Sequence, residues 1–348
     1  MSWEETLNNY SELVDGRLKD FFAEAKSEAQ TYHPFIGKVY SNIEEFMLRK
    51  GKRIASCSTL LTYKGYTGTV DDQILKVCVG IELYRHSILV HDDLVDKDVF
   101  RRRGKTFHLL LAENYDERLG HGTAVFTGDM MYALALQFML NSGFSKEKLG
   151  KAMLLFSEGY RNVNESQILD LLFEYKEPEV DEWYVMASKR AASLFKTTIL
   201  TGAILGNAPE TDLQILEAAA THMGYSFDIQ DDIIDTFASL EQYGRPPGGD
   251  LLLGKKPLHI VYTLKLADRD GVNTLTRLAA EKQISPENLE LVRQIIRESG
   301  GLDAAKKKSK EHAEKAKELI VKTSLSSETK TFFASLITYI EESLDWYK

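Results

Sequence analysis

The sequence predicts an all-α protein, a single domain over residues 1–348 built as one large bundle of long helices. Two observations carry that expectation. Apolar residues recur at three- and four-residue spacing almost everywhere, and runs of β-branched residues with period two are absent. Helix breakers are scarce, with 7 Pro and 23 Gly in the whole chain. The breakers that do occur fall at plausible corners: Gly65 and Gly68, Gly104, Asn141-Ser-Gly143, Pro178, Asn207-Ala-Pro209, Gly244 to Gly249, and Gly300-Gly301. Between them, Ala124 to Leu140 is apolar nearly all round, as in a helix buried on every side. From Asp212 onward, Leu213, Leu216, Ala220, Met223 and Phe227 keep one helical face apolar. Gln242 to Pro257 is the longest stretch expected to be non-helical. Ala304 to Glu318 reads as a solvated helix with Ala313, Ala316 and Ile320 turned inward.

Composition narrows the function. Hydrophobic residues make up 43% and charged residues 27%, which suits a soluble protein with a sizeable core. The net charge of −9 weighs against a nucleic-acid binder. Two cysteines, Cys57 and Cys78, build no disulfide framework and fit a reducing cytosol. The first residues lack the basic and apolar blocks of a signal peptide. No apolar run reads as long enough to cross a membrane. The expectation is a cytoplasmic protein without a transmembrane segment.

Two acidic clusters carry the chemistry. Asp92, Asp93 and Asp96 form the first, Asp231, Asp232 and Asp235 the second. Asp92 and Asp96 lie one helical turn apart, and their column runs back through Ile88 and Tyr84. The second column runs back through Phe227. Both therefore extend apolar stripes and should point inward. Carboxylates facing a core repel one another and need a cation. Oxygen-only donors favour Mg²⁺, which keeps water and takes phosphate oxygens as further ligands. Basic residues adjoin these segments: Lys52 and Arg53, Arg101 to Arg103, Arg190, Arg245, and Lys255 with Lys256. Arginine forks suit phosphate. Gly249 to Lys256 nearly spells a P-loop, but Lys256 stands where Ser or Thr is needed, and no strand precedes it.

In order and spacing, the chain from about residue 35 to 320 resembles the trans-isoprenyl diphosphate synthases, or polyprenyl synthetases. The segment Glu82-Leu-Tyr-Arg-His-Ser-Ile-Leu-Val-His-Asp-Asp-Leu-Val-Asp96, followed by Arg101-Arg102, is similar to the family's first aspartate-rich motif and its arginine pair. Gly224, Phe227 and the second cluster resemble the second motif. Gly244 to Lys255 resembles the loop that follows it, and Gly128-Asp129, Gln167 and Asp170 fall on the family pattern. The resemblance implies helices around a deep central cavity, usually in a homodimer. It implies condensation of isopentenyl diphosphate with an allylic prenyl diphosphate, with about three Mg²⁺ ions per site. Asp92, Asp96, Asp231, Asp235, Gln167 and Asp170 would be the metal residues. Asp93, Asp232, Arg101 and Lys255 would join the acidic clusters in catalysis. Lys52, Arg53, Arg85, Arg101, Arg102, Arg190, Gln167, Asp228, Arg245 and Lys255 would hold substrate. Ser87, Ile88 and Tyr84 would set the floor for the growing chain, with Tyr84 stopping products near about twenty to twenty-five carbons, since one turn of about 5.4 Å spans about one isoprene unit.

Several positions depart from the family pattern. Ala55 and Ser56 stand where the family has Arg and Pro, Arg85 where it has His or Gln, Arg190-Ala191 for Lys-Thr, and Asp228 for Gln. After Lys255, Pro257 and His259 hold the usual Thr and Pro positions. The acidic residues survive, whereas the site for isopentenyl diphosphate is rewritten. Two alternatives follow: a terpene synthase ionising a single prenyl diphosphate, or a non-catalytic subunit of a heteromer. Arg85 can supply the guanidinium missing at position 55, or can pair internally with Glu82.

Overall fold

The computed structural model describes residues 2–49, 51–279, 281 and 284–344. In chain order these form α1 (Trp3–Tyr32), α2 (Pro34–Leu48), α3 (Ile54–Thr67), α4 (Asp72–Val95), β1 (Phe100–Arg101), β2 (Gly104–Lys105), α5 (Phe107–Ala112), α6 (Glu117–Leu140), α7 (Lys146–Phe173), α8 (Val180–Ala187) and α9 (Ala191–Leu205). They continue with α10 (Glu210–Phe237), α11 (Leu240–Tyr243), α12 (Gly249–Leu253), α13 (Leu258–Leu266), α14 (Arg269–Ala279), α15 (Pro286–Glu298), α16 (Gly301–Val321) and α17 (Ser327–Glu342). Contacts fall into two compact units. One comprises Met1–Leu154 and Leu200–Ala208, the other Leu155–Ile199 and Pro209–Lys348.

In the first unit, α4 packs against α6, α3, α1 and α5. Asp71 starts α4 by accepting the Ile74 N–H at 2.9 Å. Buried residues then occur on all sides of α4, from Ile74 to Val90. The stripe Leu7, Val14, Leu18 and Phe22 seals α1 into the same core. Gly68 ends α3 in the left-handed conformation at φ 77°.

In the second unit, α10 packs against α16 and α17, and α13 against α16. Ala305, Ser309, Ala313, Ala316 and Ile320 form the buried stripe of α16, the face expected from its spacing. Arg293 closes the C-terminus of α10, donating from Nε to the Thr236 carbonyl at 2.7 Å and from Nη2 to that of Ala238 at 3.1 Å. Cationic donors satisfy the last carbonyls of a helix and oppose its dipole.

Three expectations need correction. The apolar helix α6 is not buried on every side: only 33% of its most apolar stretch is buried, and Phe126 is 74% exposed. Composition records that residues are apolar, not what covers them. Among the described residues α6 is also long and apolar enough, by length and composition, to cross a membrane. The Gly/Pro-rich stretch 242–257 holds a short helix, α12, between the left-handed glycines Gly248 and Gly254. The arginine run, on which the sequence carried no structural expectation, makes a hairpin. β1 and β2 pair antiparallel, and Arg102 and Arg103 form its two-residue turn at φ 51° and 64°.

The first unit is also tied by a buried ion pair. Arg53 Nη1 donates to Glu82 Oε2 at 2.9 Å, Nε to Asp15 at 2.8 Å and Nη2 to the Met47 carbonyl at 2.6 Å. Burial pushes the Glu82 carboxyl up, but Arg53, His86 and Arg102 outweigh it and hold it at about 2. Arg53→Met should therefore destabilise the protein by about 3–5 kcal/mol, since it strands a buried carboxylate. Arg53→Met with Glu82→Leu should recover most of that loss. Because Glu82 lies below its free value of 4.5, its stabilisation is present above pH 4.5 and is lost as pH falls toward about 2. Urea unfolding midpoints of the variants, taken between pH 7 and 3, measure both effects; a harmless Arg53→Met would refute them.

Candidate active site

The first acidic cluster sits where α4 ends. The Asp96 N–H donates to the Asp92 carbonyl at 2.8 Å, and the Asp98 N–H to that of Asp93 at 2.9 Å. Asp92 and Asp96, expected to point inward, are half-buried, whereas Asp93 is 0% exposed. One Asp93 oxygen accepts from Arg101 Nε, and Oδ2 has no hydrogen-bond partner. Burial pushes the Asp93 carboxyl up to about 7 against the pull of Arg101, with Asp98 and Asp92 adding to the rise. Arg101 Nη2 also lies 3.6 Å from both Asp92 and Asp98. Gly128 on α6 leaves room for His91, whose imidazole a Cβ there would strike. His91 Nε2 bonds the Val125 carbonyl at 3.0 Å.

The basic half of this unit is built from α3, α4 and the hairpin. Arg53, expected to hold substrate, is placed differently: it is 4% exposed and spent on Glu82, Asp15 and Met47. Glu82, the partner weighed for Arg85, thus serves Arg53. Arg102 fits beside Gly51, where a Cβ would stand 2.7 Å from its Cζ. Burial, with Arg53, Arg101 and Arg85 nearby, pulls the Arg102 guanidinium down to about 10 against Glu82. Lys52 and Arg85 are half-buried. Sequence reasoning passed over His86, which accepts from Arg102 Nη1 at 3.2 Å, and Arg49, whose Nη1 donates to the carbonyls of Arg101 and Lys105 and so clamps both hairpin strands. His86 lies four residues after Glu82, so helical spacing was the available signal. Tyr84 and Ser87 are fully buried, and the Ser87 hydroxyl donates to the Tyr84 carbonyl at 2.8 Å. The Tyr84 ring lies 6.4 Å from that of Tyr132, and Ile88 is half-buried.

The second acidic cluster gathers around Arg190. Its Nε lies 3.0 Å from Asp228, Nη2 3.2 Å from Asp232 and Nη1 3.6 Å from Asp170. Two departures from the family pattern, at 190 and 228, are therefore one ion pair. Gly224 makes it possible, because a Cβ there would strike Ala192 at the start of α9. Lys255 lies 3.4 Å from Asp170 and 3.7 Å from Asp250. Asp235 holds the following loop through the N–H of Asp250 at 3.2 Å and, by its carbonyl, that of Gly248 at 2.8 Å. Arg245 lies over the Tyr243 ring at 4.6 Å, and Gln167 is half-buried on α7. Burial raises the carboxyls of Asp228 to about 6, Asp235 to about 8 and Asp232 well above the usual range.

Around this cluster the carboxylates of Asp170, Asp228, Asp232, Asp235 and Asp250 outnumber the neighbouring cations Arg190, Arg245 and Lys255. Such a surplus of oxygen donors fits a hard divalent cation. Among the described residues no three His, Cys, Asp or Glu side chains form a cage of their own.

The family model described as polyprenyl synthetase matches residues 37–298, and the chain belongs to that family. It is a trans-prenyltransferase. It is 27% identical over 281 residues to the short chain isoprenyl diphosphate synthase of Methanocaldococcus jannaschii, covering 81% of this chain and 83% of that one. It is 27% identical to the geranylfarnesyl diphosphate synthase of Aeropyrum pernix, covering 84% and 90%. The fold matches the geranylgeranyl pyrophosphate synthase of Corynebacterium glutamicum, solved with isoprenyl diphosphate and magnesium, at a TM-score of 0.91 with 19% identity over 98% and 99% of the chains.

Without divalent cation, Asp235→Asn should raise the melting temperature by about 2–4 °C, because it removes a buried repelling charge. The raised carboxyl favours the fold fully below pH 3.8, and that advantage is lost as pH rises through about 8. The gain should thus be largest at alkaline pH. A variant that melts no higher than wild type at pH 8.5 would contradict it.

Proposed function

We propose that this enzyme condenses isopentenyl diphosphate with an allylic prenyl diphosphate, in a Mg²⁺-dependent reaction giving a geranylgeranyl-like product. One observation carries condensation over single-substrate ionisation. In the first unit the half-buried Arg102 guanidinium is held by the His86 imidazole at 3.2 Å with Arg85 nearby, while Glu82 is bonded by Arg53. A guanidinium oriented by a neutral acceptor keeps its charge and suits an anion. The diphosphate of a second substrate supplies one. On this reading Arg85 restores the guanidinium that Ala55 lacks.

Asp92 and Asp96 in the first unit, and Asp231 and Asp235 with Gln167 and Asp170 in the second, would be the metal ligands that each unit offers. When bound, Mg²⁺ stabilises the charge of the departing diphosphate. Arg101 beside Asp92 and Asp93 in the first unit, and Lys255 beside Asp170 in the second, are each a cation suited to diphosphate oxygens. The C–O electron pair leaves with diphosphate, the alkene pair of isopentenyl diphosphate forms the new C–C bond, and a proton leaves to restore the double bond. Buried Tyr84, Ser87 and half-buried Ile88 line the course of the tail, and the ring of Tyr132 reinforces the floor at Tyr84. The relatives named for geranylgeranyl and geranylfarnesyl products support a medium chain length. The exposed apolar residues Val125, Phe126 and Leu140 on α6 support a homodimer, and the paired free thiols, both buried, suit a cytoplasmic setting.

Incubation with Mg²⁺, labelled isopentenyl diphosphate and each allylic diphosphate in turn should give chain-extended diphosphates. Asp92→Ala and Asp231→Ala should each cut turnover by about 10³-fold or more, and Arg85→Ala should raise the KM for isopentenyl diphosphate. Hydrocarbon or alcohol from the allylic substrate alone would favour the terpene synthase instead.

Tyr84→Ala should lengthen the main product by about one or two isoprene units, each close to one helical turn. Chromatography of the dephosphorylated products reads this directly. An unchanged distribution removes Tyr84 from the floor.

A further inference from the structure

Arg102 is held in an unusual way for a half-buried cation. It sits at the tip of the hairpin with φ 51°, a backbone conformation costly for a side-chain-bearing residue. Its guanidinium is anchored by an imidazole, through the 3.2 Å contact from Nη1 to His86 Nε2. His86 is 1% exposed, and its Nδ1 lies 2.8 Å from the Glu82 carbonyl. A carbonyl only accepts and a guanidinium only donates, so both partners fix one tautomer: the proton is on Nδ1 and the lone pair on Nε2. The ring is set edge-on to Phe46, with centroids 6.0 Å apart.

The neutral form is enforced. Burial, then Arg102 and Arg53, lower the His86 pKa well below its usual value, against the pull of Glu82. A protonated ring would present N–H to N–H at Arg102. The chemical difference from an acidic anchor follows directly. A carboxylate would hold Arg102 as firmly but would cancel its charge, whereas a neutral acceptor orients the fork and leaves the full positive charge for an anion.

We infer that His86 is a positioning residue, whose Nε2 lone pair aims the Arg102 guanidinium at the diphosphate of isopentenyl diphosphate without neutralising it. The inference rests on the proposal that Arg102 meets that diphosphate. The test is steady-state kinetics with each substrate varied in turn, for wild type, Arg102→Ala, His86→Leu, His86→Gln and His86→Glu. His86→Leu should raise the KM for isopentenyl diphosphate by about tenfold, the worth of one charge-assisted hydrogen bond, and leave the allylic KM and kcat within about twofold. His86→Gln, whose amide oxygen can accept from Arg102, should recover most of the loss. His86→Glu should not, because it supplies the acceptor and cancels the charge. In an Arg102→Ala background, His86→Leu should add nothing.

The failures are separable. If Arg102→Ala leaves the KM for isopentenyl diphosphate unchanged, the proposed substrate site is wrong. If Arg102→Ala raises it but His86→Leu does not, the positioning role alone is wrong. A parallel loss of kcat and of both KM values in His86→Leu marks a merely structural histidine and overturns the inference. Should His86→Leu fail to fold, the Gln and Glu variants decide, and equal KM values for the two overturn it.

Discussion

Carboxylates buried at the wrong end of a helix are the constraint on which this structure turns. Asp92, Asp93 and Asp96 stand at the C-terminus of α4, and Asp231, Asp232 and Asp235 in the last two turns of α10. The helix dipole is negative there, so acidic side chains are disfavoured by the backbone as well as by one another. Burial adds a third cost, visible in the raised carboxyls of Asp93, Asp232 and Asp235. Within each unit the surrounding residues answer that cost. Arg101 is folded onto the first cluster, Arg190 and Lys255 are inserted among the second, and Arg293 satisfies the carbonyls at the end of α10. These contacts relieve part of the repulsion and leave an excess of oxygen donors.

The departures from the family pattern look different once their partners are known. Arg190 and Asp228 replace a cation and a neutral amide with a cation and an anion, in direct contact at 3.0 Å. The carboxylate of Asp228 adds a buried negative charge, and the Arg190 guanidinium against it offsets the cost of burying it. In the first unit Ala55 removes a guanidinium while Arg85 adds one, and Arg102 finds a neutral anchor in His86. Neither set reads as decay, because decay would leave isolated charges in buried places.

Helical periodicity made much of the fold legible. The buried stripe of α16 and the corners at Gly68, Asn207-Ala-Pro209 and Gly300 follow from spacing and backbone preference, which are local properties. What was not legible depends on tertiary partners. The apolar run of α6 looked enclosed because sequence records composition and not cover. Arg53 looked like a substrate ligand because nothing local reveals that Asp15 and Glu82, 38 and 29 residues away, would consume it. Within the first cluster, column arithmetic favoured Asp92 and Asp96, but the helix ends at Val95, and the buried carboxylate is the intervening Asp93. The short helix α12 escaped because its flanking glycines read as loop, whereas they supply the left-handed ends that let one turn of helix form.

The three consecutive arginines show how a two-residue turn sorts identical side chains. Arg101 belongs to a strand and folds onto Asp93, Asp92 and Asp98. Arg102, the next residue, turns through a left-handed backbone and meets His86 beside Glu82. Arg103 completes the turn and is exposed. Spacing alone cannot separate these roles, since all three carry the same charge at adjacent positions. The hairpin separates them, and Arg49 fixes it by bonding the carbonyls of Arg101 and Lys105 at once. Gly104 is what admits the Arg49 guanidinium so close to the second strand, and Gly51 admits that of Arg102. One guanidinium is thereby set among carboxylates and the next against an imidazole. The strained turn that divides them costs stability that the surrounding anchors must supply.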